Sequence, residues 1–288
     1  MRQQTVSRYE LVQELRQSLR SGEVSMRYQP IVDLTTSEVL GFESLMRWQH
    51  PTREQVPPNV FISLAEKTDL IYELGSFALH EADTEATSWE RTSAQAGRLF
   101  VTVNLSARQF HDPDLLSVIQ GALEGSGLAP ERLVLGITES VALLDAVETK
   151  SAIERLDHYG VTVALDDFGT GCSSLSYLAL FRPMIIKIDG SFVNPPQASI
   201  FNDRLLEAVI SLSHKLEMAV YAEEIETQRH LARLRHLGCE VGQGYLFSPA
   251  VSAGHEVAAM FDQAPRKWAQ RLALSTRTPR RHTEELTR

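Results

Sequence analysis

The sequence predicts an α/β protein with the architecture of a (β/α)8 barrel. Short apolar runs alternate with longer amphipathic stretches along the chain, a pattern typical of repeated βα units. Six of the apolar runs carry a polar or ionisable residue at or near their C-terminal end. The spacing of these ends mostly matches one or two units of about 30 residues. In such a barrel the C-terminal strand ends meet on one face, which holds the active site.

The composition is that of an ordinary globular protein. Of the 288 residues, 43% are hydrophobic and 23% are charged, which is sufficient for a sizeable core in one domain. The chain contains no run of about 18 apolar residues, the length that a membrane helix requires, and it begins without the apolar core of a signal peptide. Cys172 and Cys239 are the two cysteines and form no disulfide framework. We therefore expect a cytoplasmic protein without a transmembrane segment.

The individual elements follow from hydrophobic periodicity. A first helix is predicted over residues 8–20, where the apolar side chains share one face, and Gly22 ends it because glycine accepts the left-handed C-cap conformation. Apolar runs predict eight strands, at residues 26–32, 39–46, 99–105, 133–137, 161–165, 184–188, 218–222 and 241–247. Amphipathic patterns predict helices at residues 58–67, 70–88, 114–124, 147–158, 201–215 and 228–237. No repeat or linker divides the chain, so residues 1–262 are predicted to form a single domain.

Charge is unevenly distributed along the chain. The formal net charge is −9, although residues 263–288 contain seven Lys or Arg residues against two Glu residues. The remaining body is strongly acidic and is therefore a poor binder of DNA or RNA, which depends on cationic neutralisation of phosphates. A phosphorylated ligand would need metal ions or a few well-placed cations. Residues 263–288 are predicted to be a flexible basic tail, with binding of a protein partner or a membrane surface as the alternative.

The polar residues at the strand ends predict a site for hard cations. They comprise carboxylates, an amide and a lysine: Glu43, Asn104, Asp166, Asp167, Lys187, Glu223 and Gln243. Oxygen ligands of this kind are preferred by Mg²⁺ and Mn²⁺. Each residue alone is more simply explained as a solvated loop residue. As a set they favour a functional site, since Asp166, Asp167 and Lys187 follow apolar runs that would otherwise bury them.

The chain resembles the EAL domain family of bacterial cyclic di-GMP phosphodiesterases. The resemblance depends on motifs that occur in the family's order from about Tyr9 to Phe261: Tyr28-Gln29-Pro30-Ile31-Val32, Glu43-Ser44-Leu45-Met46-Arg47-Trp48, Val103-Asn104-Leu105-Ser106, Asp166-Asp167-Phe168-Gly169, Lys187-Ile188-Asp189, Ala222-Glu223 and Gln243-Gly244-Tyr245. Ser44 replaces the alanine for which the family is named. So many ordered motifs are far more specific than one short pattern.

The resemblance implies a modified TIM-like barrel with an antiparallel first strand, and hydrolysis of cyclic di-GMP to linear pGpG. It also implies two divalent cations, Mg²⁺ or Mn²⁺, that activate a bridging water. By the family pattern the metal ligands are Glu43 and Asn104 for the first ion, Asp166 for both ions, and Asp167 and Glu223 for the second. Lys187, Glu223 and Asp167 form the catalytic set. The same pattern assigns ligand binding to Gln29, Arg47, Leu45 and Gln243. It implies that Glu139 holds the loop after Asp167 and that Glu226 supports the metal ligands.

Three positions depart from the family pattern. Gly136 stands where the family has a glutamate that binds the first metal, so that site is predicted to be weak. Losing even a residue that hydrogen-bonds to a metal ligand lowers metal affinity or activity by about 10–100-fold. Glu224 stands where the family usually has glycine, and Cys172 replaces an aromatic residue.

Two functions remain open from the sequence, together with a less favoured third. The chain is a cyclic di-GMP phosphodiesterase with reduced activity, or it is a catalytically silent receptor for the same nucleotide. A regulator that acts only by binding proteins is less compatible with the retained Gln29 and Arg47. A homodimer is a further expectation from the family resemblance.

Overall fold

The computed structural model describes residues 2–92, 96–169, 181, 184–195, 200–258 and 260. The strands in chain order are β1 Val24–Asp33, β2 Val39–His50, β3 Glu54–Val56, β4 Phe100–Asn104, β5 Leu133–Thr138, β6 Thr162–Phe168, β7 Ile185–Ile188, β8 Ala219–Ala222, β9 Val241–Gly242 and β10 Val251–Ser252. The α-helices are α1 Arg2–Ser21, α2 Pro58–Ala65, α3 Leu70–Thr92, α4 Ala107–Phe110, α5 Leu115–Ser126, α6 Glu139–Leu144, α7 Ala146–Tyr159, α8 Gly190–Val193, α9 Ile200–Lys215, α10 Gln228–His236 and α11 His255–Ala258. The basic tail and Cys172 lie outside the described residues.

Eight of the strands close into a barrel. Strands β2, β4, β5, β6, β7, β8 and β9 are parallel neighbours in that order. Strand β1 closes the ring by pairing antiparallel with both β2 and β9. The predicted barrel and its antiparallel first strand are therefore confirmed. Strands β3 and β10 extend β2 and β1 beyond the ring.

Apolar side chains fill the barrel below its C-terminal face and cover its outer surface. Inside, a layer that includes Ile31, Phe100 and Tyr221 forms the barrel floor. The Phe100 ring occupies the space beside Gly41, where an added Cβ would lie 2.7 Å from the ring. Outside, a larger core joins the strands to helices α3, α5, α7 and α9. The packed floor closes the barrel below its upper face.

Side-chain caps and glycines determine where several helices begin and end. The Asp145 carboxylate accepts hydrogen bonds from the backbone N–H groups of Val147 and Glu148 and so begins α7. The same helix ends at Gly160, whose φ of 101° is favourable for glycine. Among the described helices, none is both long and apolar enough to cross a membrane.

The last predicted strand is longer in the sequence pattern than in the structure. The apolar run predicts a strand over residues 241–247, whereas β9 ends at Gly242. The chain then turns, and Gly244 approaches the backbone of Ile225 so closely that an added Cβ would lie 2.2 Å from its nitrogen. Hydrogen bonds between this turn and the loop after β8 replace the strand ladder. Strands β3 and β10, each of two or three residues, were too short to predict.

Asp83 is an ionisable residue in the core around α3. Its side chain is fully buried, and neither carboxylate oxygen has a hydrogen-bond partner in the described structure. Burial raises the pKa of Asp83 to about 7. The folded protein therefore favours the neutral carboxylic acid, because an unpaired buried charge is costly.

We predict that Asp83→Asn stabilises the protein increasingly as the pH rises. Between pH 4 and 7 the unfolded chain releases the Asp83 proton while the folded chain retains it, which lowers the free energy of unfolding by about 1.4 kcal/mol per pH unit. Asparagine is neutral throughout and removes this loss. Urea unfolding at pH 5 and pH 8 should show the gap between variant and parent widening by about 2–3 kcal/mol. A gap independent of pH would contradict the prediction.

Candidate functional site

A cavity of about 660 Å³ opens at the C-terminal face of the barrel. All seven polar strand-end residues predicted from the sequence line it. Gln29, Leu45 and Arg47 line it from β1 and β2, and Glu226 from the loop after β8. Sequence patterns did not assign Thr138, Tyr245, Pro249 and Ala250 to the site, although they also line the cavity. The Gln243-Gly244-Tyr245 motif was the one available signal for Tyr245.

A single lysine occupies the centre of the acidic cluster. The Nζ atom of Lys187 lies 2.8 Å from Glu43 Oε1, 2.7 Å from Asp166 Oδ2 and 2.7 Å from Glu223 Oε1. The lysine side chain is only 2% exposed. Three carboxylates therefore share one buried ammonium group.

The shared ammonium group affects the carboxylates differently. Burial raises the pKa of Glu223 to about 8, with repulsion from Asp166 and Glu43 acting in the same direction and Lys187 acting against it. Burial also opposes ionisation of Glu43, but Lys187 and three hydrogen bonds outweigh it and lower the pKa of Glu43. Burial alone would lower the pKa of Lys187, yet its carboxylate neighbours raise that pKa well above the usual value. The ammonium stays charged while Glu223 readily holds a proton near neutral pH.

Gln243 and Asn104 complete the hydrogen bonding of this cluster. The Gln243 amide donates to Glu43 Oε2 at 2.6 Å and to Glu223 Oε1 at 3.1 Å. The Asn104 amide donates to Glu43 Oε1 at 3.0 Å. These amides orient two of the three carboxylates.

Gly136 leaves a space that Asn104 fills. The two residues are register partners on β4 and β5. A Cβ added at Gly136 would lie 2.1 Å from Asn104 Oδ1 and 3.6 Å from Asp166 Oδ2. The glutamate that the family pattern predicts is therefore absent at position 136. The Asn104 amide occupies the space where its Cβ would lie.

Asp167 lies at a sharp change of backbone direction at the end of β6. Its φ is +53°, an unusual value for a residue other than glycine, and its N–H donates to Asp166 Oδ1 at 2.9 Å. Burial and the neighbouring Asp166 charge raise the pKa of Asp167. Two residues further on, the Gly169 N–H donates to Glu139 Oε2 at 3.3 Å. Glu139 therefore supports the beginning of the loop that follows Asp167.

Glu224 faces the β7 side of the barrel. Its φ is +53°, and an added Cβ at Gly190 would lie 2.0 Å from Glu224 Oε2. The carboxylate thus packs over Gly190 at the start of α8, although the residue also lines the cavity. Strand β7 is separated from Gly136 on β5 by β6, so this placement does not bring a carboxylate beside Gly136.

The described residues fit a divalent cation at one position. Oxygen atoms of Glu43, Asp166 and Glu223 lie within 4.8 Å of one another. All are hard carboxylate donors of the kind that Mg²⁺ and Mn²⁺ prefer. Asn104 and Asp167 line the same cavity but lie outside this group of three.

Replacing Lys187 should destabilise the protein, because its ammonium group compensates the charge of the acidic cluster. Lys187→Met leaves three buried carboxylates without their cation, and we predict a loss of about 3–5 kcal/mol of stability at pH 8. The loss should shrink at pH 5, where the carboxylates of the variant take up protons. Lys150→Met is the matched control, because Lys150 contacts Glu154 on an exposed helix surface and should cost under about 1 kcal/mol. Equal losses for the two variants in urea unfolding would disprove the central role of Lys187.

Comparison with known proteins identifies the family. The sequence model of the EAL domain matches residues 12–250. The cyclic di-GMP phosphodiesterase NbdA of Pseudomonas aeruginosa is 38% identical over 260 residues, which cover 89% of this chain and 33% of that protein. An uncharacterized signaling protein of Caulobacter vibrioides is 41% identical over 238 residues, or 83% of this chain and 29% of that protein. The chain thus spans about a third of the length of these two relatives.

Solved structures show the same fold. The PaMucR phosphodiesterase in complex with c-di-GMP is 35% identical, with a TM-score of 0.80, and the match covers 85% of this chain and 98% of that one. The FimX EAL domain of Pseudomonas aeruginosa bound to c-di-GMP is 25% identical, with a TM-score of 0.72, over 84% and 96% of the two chains. Together with the family match over most of the barrel, these similarities establish that the chain belongs to the EAL domain family and resembles its cyclic di-GMP phosphodiesterases.

Proposed function

We propose that this protein binds cyclic di-GMP and hydrolyses it to pGpG in a metal-dependent reaction, with activity reduced by Gly136. The observation that carries the proposal is the cluster of Glu43, Asp166 and Glu223 around Lys187. It lies in a cavity that also presents Gln29 and Arg47. The relatives named for cyclic di-GMP hydrolysis support the choice of substrate.

The chain's own residues supply the orientation and the charge that such a reaction needs. Glu43, Asp166 and Glu223 would hold one Mg²⁺ or Mn²⁺ ion, with Asp167 and Asn104 within the same cavity. When bound, divalent ions supply Lewis acidity toward the phosphate and increase the acidity of a water molecule. Gln243 fixes the carboxylates of Glu43 and Glu223 by hydrogen bonds. Lys187 retains its proton and can stabilise negative charge that develops beside these carboxylates.

Glu223 is positioned by its neighbours for a catalytic role. Burial raises the pKa of Glu223 to about 8 without a bound ion, and a divalent cation held by this carboxylate would lower that pKa. The Glu223 carboxylate lies against Lys187 and receives a hydrogen bond from Gln243, which fixes its position. We therefore assign Glu223 to the catalytic set with Lys187 and Asp167.

Gly136 also favours the alternative of a cyclic di-GMP receptor. It removes one carboxylate ligand from the Glu43 and Asn104 side of the site, so we propose that this first metal position is weakened. Asn104 occupies the space that the missing side chain would enter. A site of this kind can retain the nucleotide through Gln29 and Arg47 without cutting it.

Incubation with cyclic di-GMP and Mn²⁺ separates the two functions. We expect chromatography to show release of pGpG that EDTA stops and that Asp166→Asn slows by about 100-fold, the larger cost of a perturbed metal ligand. Calorimetry with Ca²⁺ measures binding in parallel. Binding without pGpG would establish the receptor function and overturn the enzyme. Absence of both binding and product would overturn both nucleotide functions.

Gly136→Glu tests whether the missing ligand limits the reaction. We predict that it increases Mn²⁺ affinity and pGpG release by about 10–100-fold, because it adds a carboxylate to the first metal position. The side chain of Asn104 must rotate to admit the new Cβ. Gly136→Ala is therefore the matched control, since it requires the same rotation but adds no ligand. A Mn²⁺ titration followed by electron paramagnetic resonance should show one tightly bound ion in the parent protein and two in Gly136→Glu. A folded Gly136→Glu protein that matches Gly136→Ala would refute the missing-ligand explanation.

A further inference from the structure

The short helix α8 connects the strand of Lys187 to the loop that follows Asp167. It begins directly after β7, where the Asp189 carboxylate accepts a hydrogen bond from the Ser191 N–H at 2.9 Å. The Phe192 side chain of this helix is half-buried and packs against the main hydrophobic core. The position of α8 is therefore fixed at its start by β7 and along its length by the contacts of Phe192.

The Phe192 ring rests on Gly169, two residues after Asp167. A Cβ added at Gly169 would lie 2.4 Å from the ring, so a side chain at this position would displace it. On its other side the Gly169 N–H donates to Glu139 Oε2 at 3.3 Å. Gly169 is thus held by an aromatic ring and by a carboxylate, and these contacts restrain the backbone turn at Asp167.

Arg233 holds the C-terminal end of α8 from the outer helix α10. Its Nη1 atom donates to the carbonyl oxygen of Phe192 at 3.1 Å and to that of Val193 at 3.0 Å. The last carbonyl groups of a helix have no partner within it, and a cationic side chain stabilises them. The Nε atom donates to Asp203 Oδ1 on α9 at 2.6 Å. Arg233 therefore ties α8 to two helices of the outer layer.

Arg235 forms a similar contact at the opposite end of the barrel. It also belongs to α10, and its guanidinium donates to the carbonyl oxygens of Leu34 and Thr35 in the turn between β1 and β2. This turn precedes β2, so it lies away from the C-terminal face that holds the cavity. Two arginines of one helix thus hold backbone carbonyl groups, and Arg233 is the one whose contacts lead to the site.

We propose that Arg233 is a positioning residue for Asp167, acting through α8, Phe192 and Gly169. This inference rests on the proposed function, in which Asp167 belongs to the catalytic set. The φ of Asp167 is +53°, an unfavourable value for a residue other than glycine, which persists where the surrounding structure enforces it. The contacts of Gly169 supply that restraint. Without Arg233 the end of α8 loses two hydrogen bonds, the Phe192 ring is held less firmly, and the Asp167 carboxylate is less well placed to bind a metal ion.

The amide resonance of Gly169 reports these contacts without metal or nucleotide. Phe168-Gly169 is the only Phe-Gly pair in the sequence, so ¹³C at the phenylalanine carbonyl combined with ¹⁵N-glycine yields a single signal from this amide. We expect Arg233→Met to shift the signal. Arg233→Lys should shift it less, because lysine keeps a cationic donor but not the planar guanidinium. Arg235→Met is the matched control on the same helix and should leave the signal in place.

Phe192→Leu tests the route between Arg233 and Gly169. It removes the ring that joins them, so adding Arg233→Met to Phe192→Leu should produce no further shift of the Gly169 signal. Independent effects would instead add together. Additive shifts would therefore overturn a route through Phe192. Thermal unfolding establishes that each variant is folded, and Arg233→Lys keeps the test decisive if Arg233→Met does not fold.

A Mn²⁺ titration measures the effect on the site itself. We expect Arg233→Met to lower Mn²⁺ affinity by about 10-fold, the smaller cost of losing support for a metal ligand, and Arg235→Met to leave it unchanged. A Gly169 signal that does not move in folded Arg233→Met would overturn the inference, as would a moved signal with unchanged Mn²⁺ affinity. A parent protein that binds no Mn²⁺ would instead overturn the proposed function. The two failures are distinguishable because the Gly169 measurement needs no metal ion.

Discussion

The buried contact between one ammonium group and three carboxylates is the constraint on which the site depends. Lys187, Glu43, Asp166 and Glu223 come from four strands, β7, β2, β6 and the end of β8. Four ionisable groups can be buried together only if their charges are compensated at close range. The barrel brings these side chains together because the C-terminal ends of its parallel strands lie at the same face. The resulting cluster contains more carboxylates than cations, so its charge favours a further proton or a cation.

The sequence predicted the barrel because its signals are local and repeated. Hydrophobic periodicity located all eight barrel strands, and the family motifs added the antiparallel direction of β1. Only the early end of β9 was not predicted, because it is determined by contact between Gly244 and Ile225, which are 19 positions apart. Sequence also named the polar residues that line the cavity. It did not indicate that Lys187 would lie within hydrogen-bonding distance of three carboxylates, since such distances depend on rotamers and on barrel closure.

Gly136 and Asn104 are register partners on neighbouring strands, and their side-chain space is shared. From sequence the substitution is a simple deletion of a carboxylate. In the structure the Asn104 amide lies over the glycine and donates to Glu43, so the gap is filled by a polar group that remains hydrogen-bonded. The departure from the family pattern is therefore a property of two neighbouring strands rather than of one residue.

The distribution of charge explains how an acidic domain can accept an anionic ligand. The centre of the site is negative and would repel a phosphate unless cations intervene. Burial keeps that negative charge at the base of the cavity, while the half-buried Arg47 lines the same cavity from β2. An anionic ligand at this site would therefore need cations beside the carboxylates, whereas the Arg47 guanidinium could meet its negative charge directly.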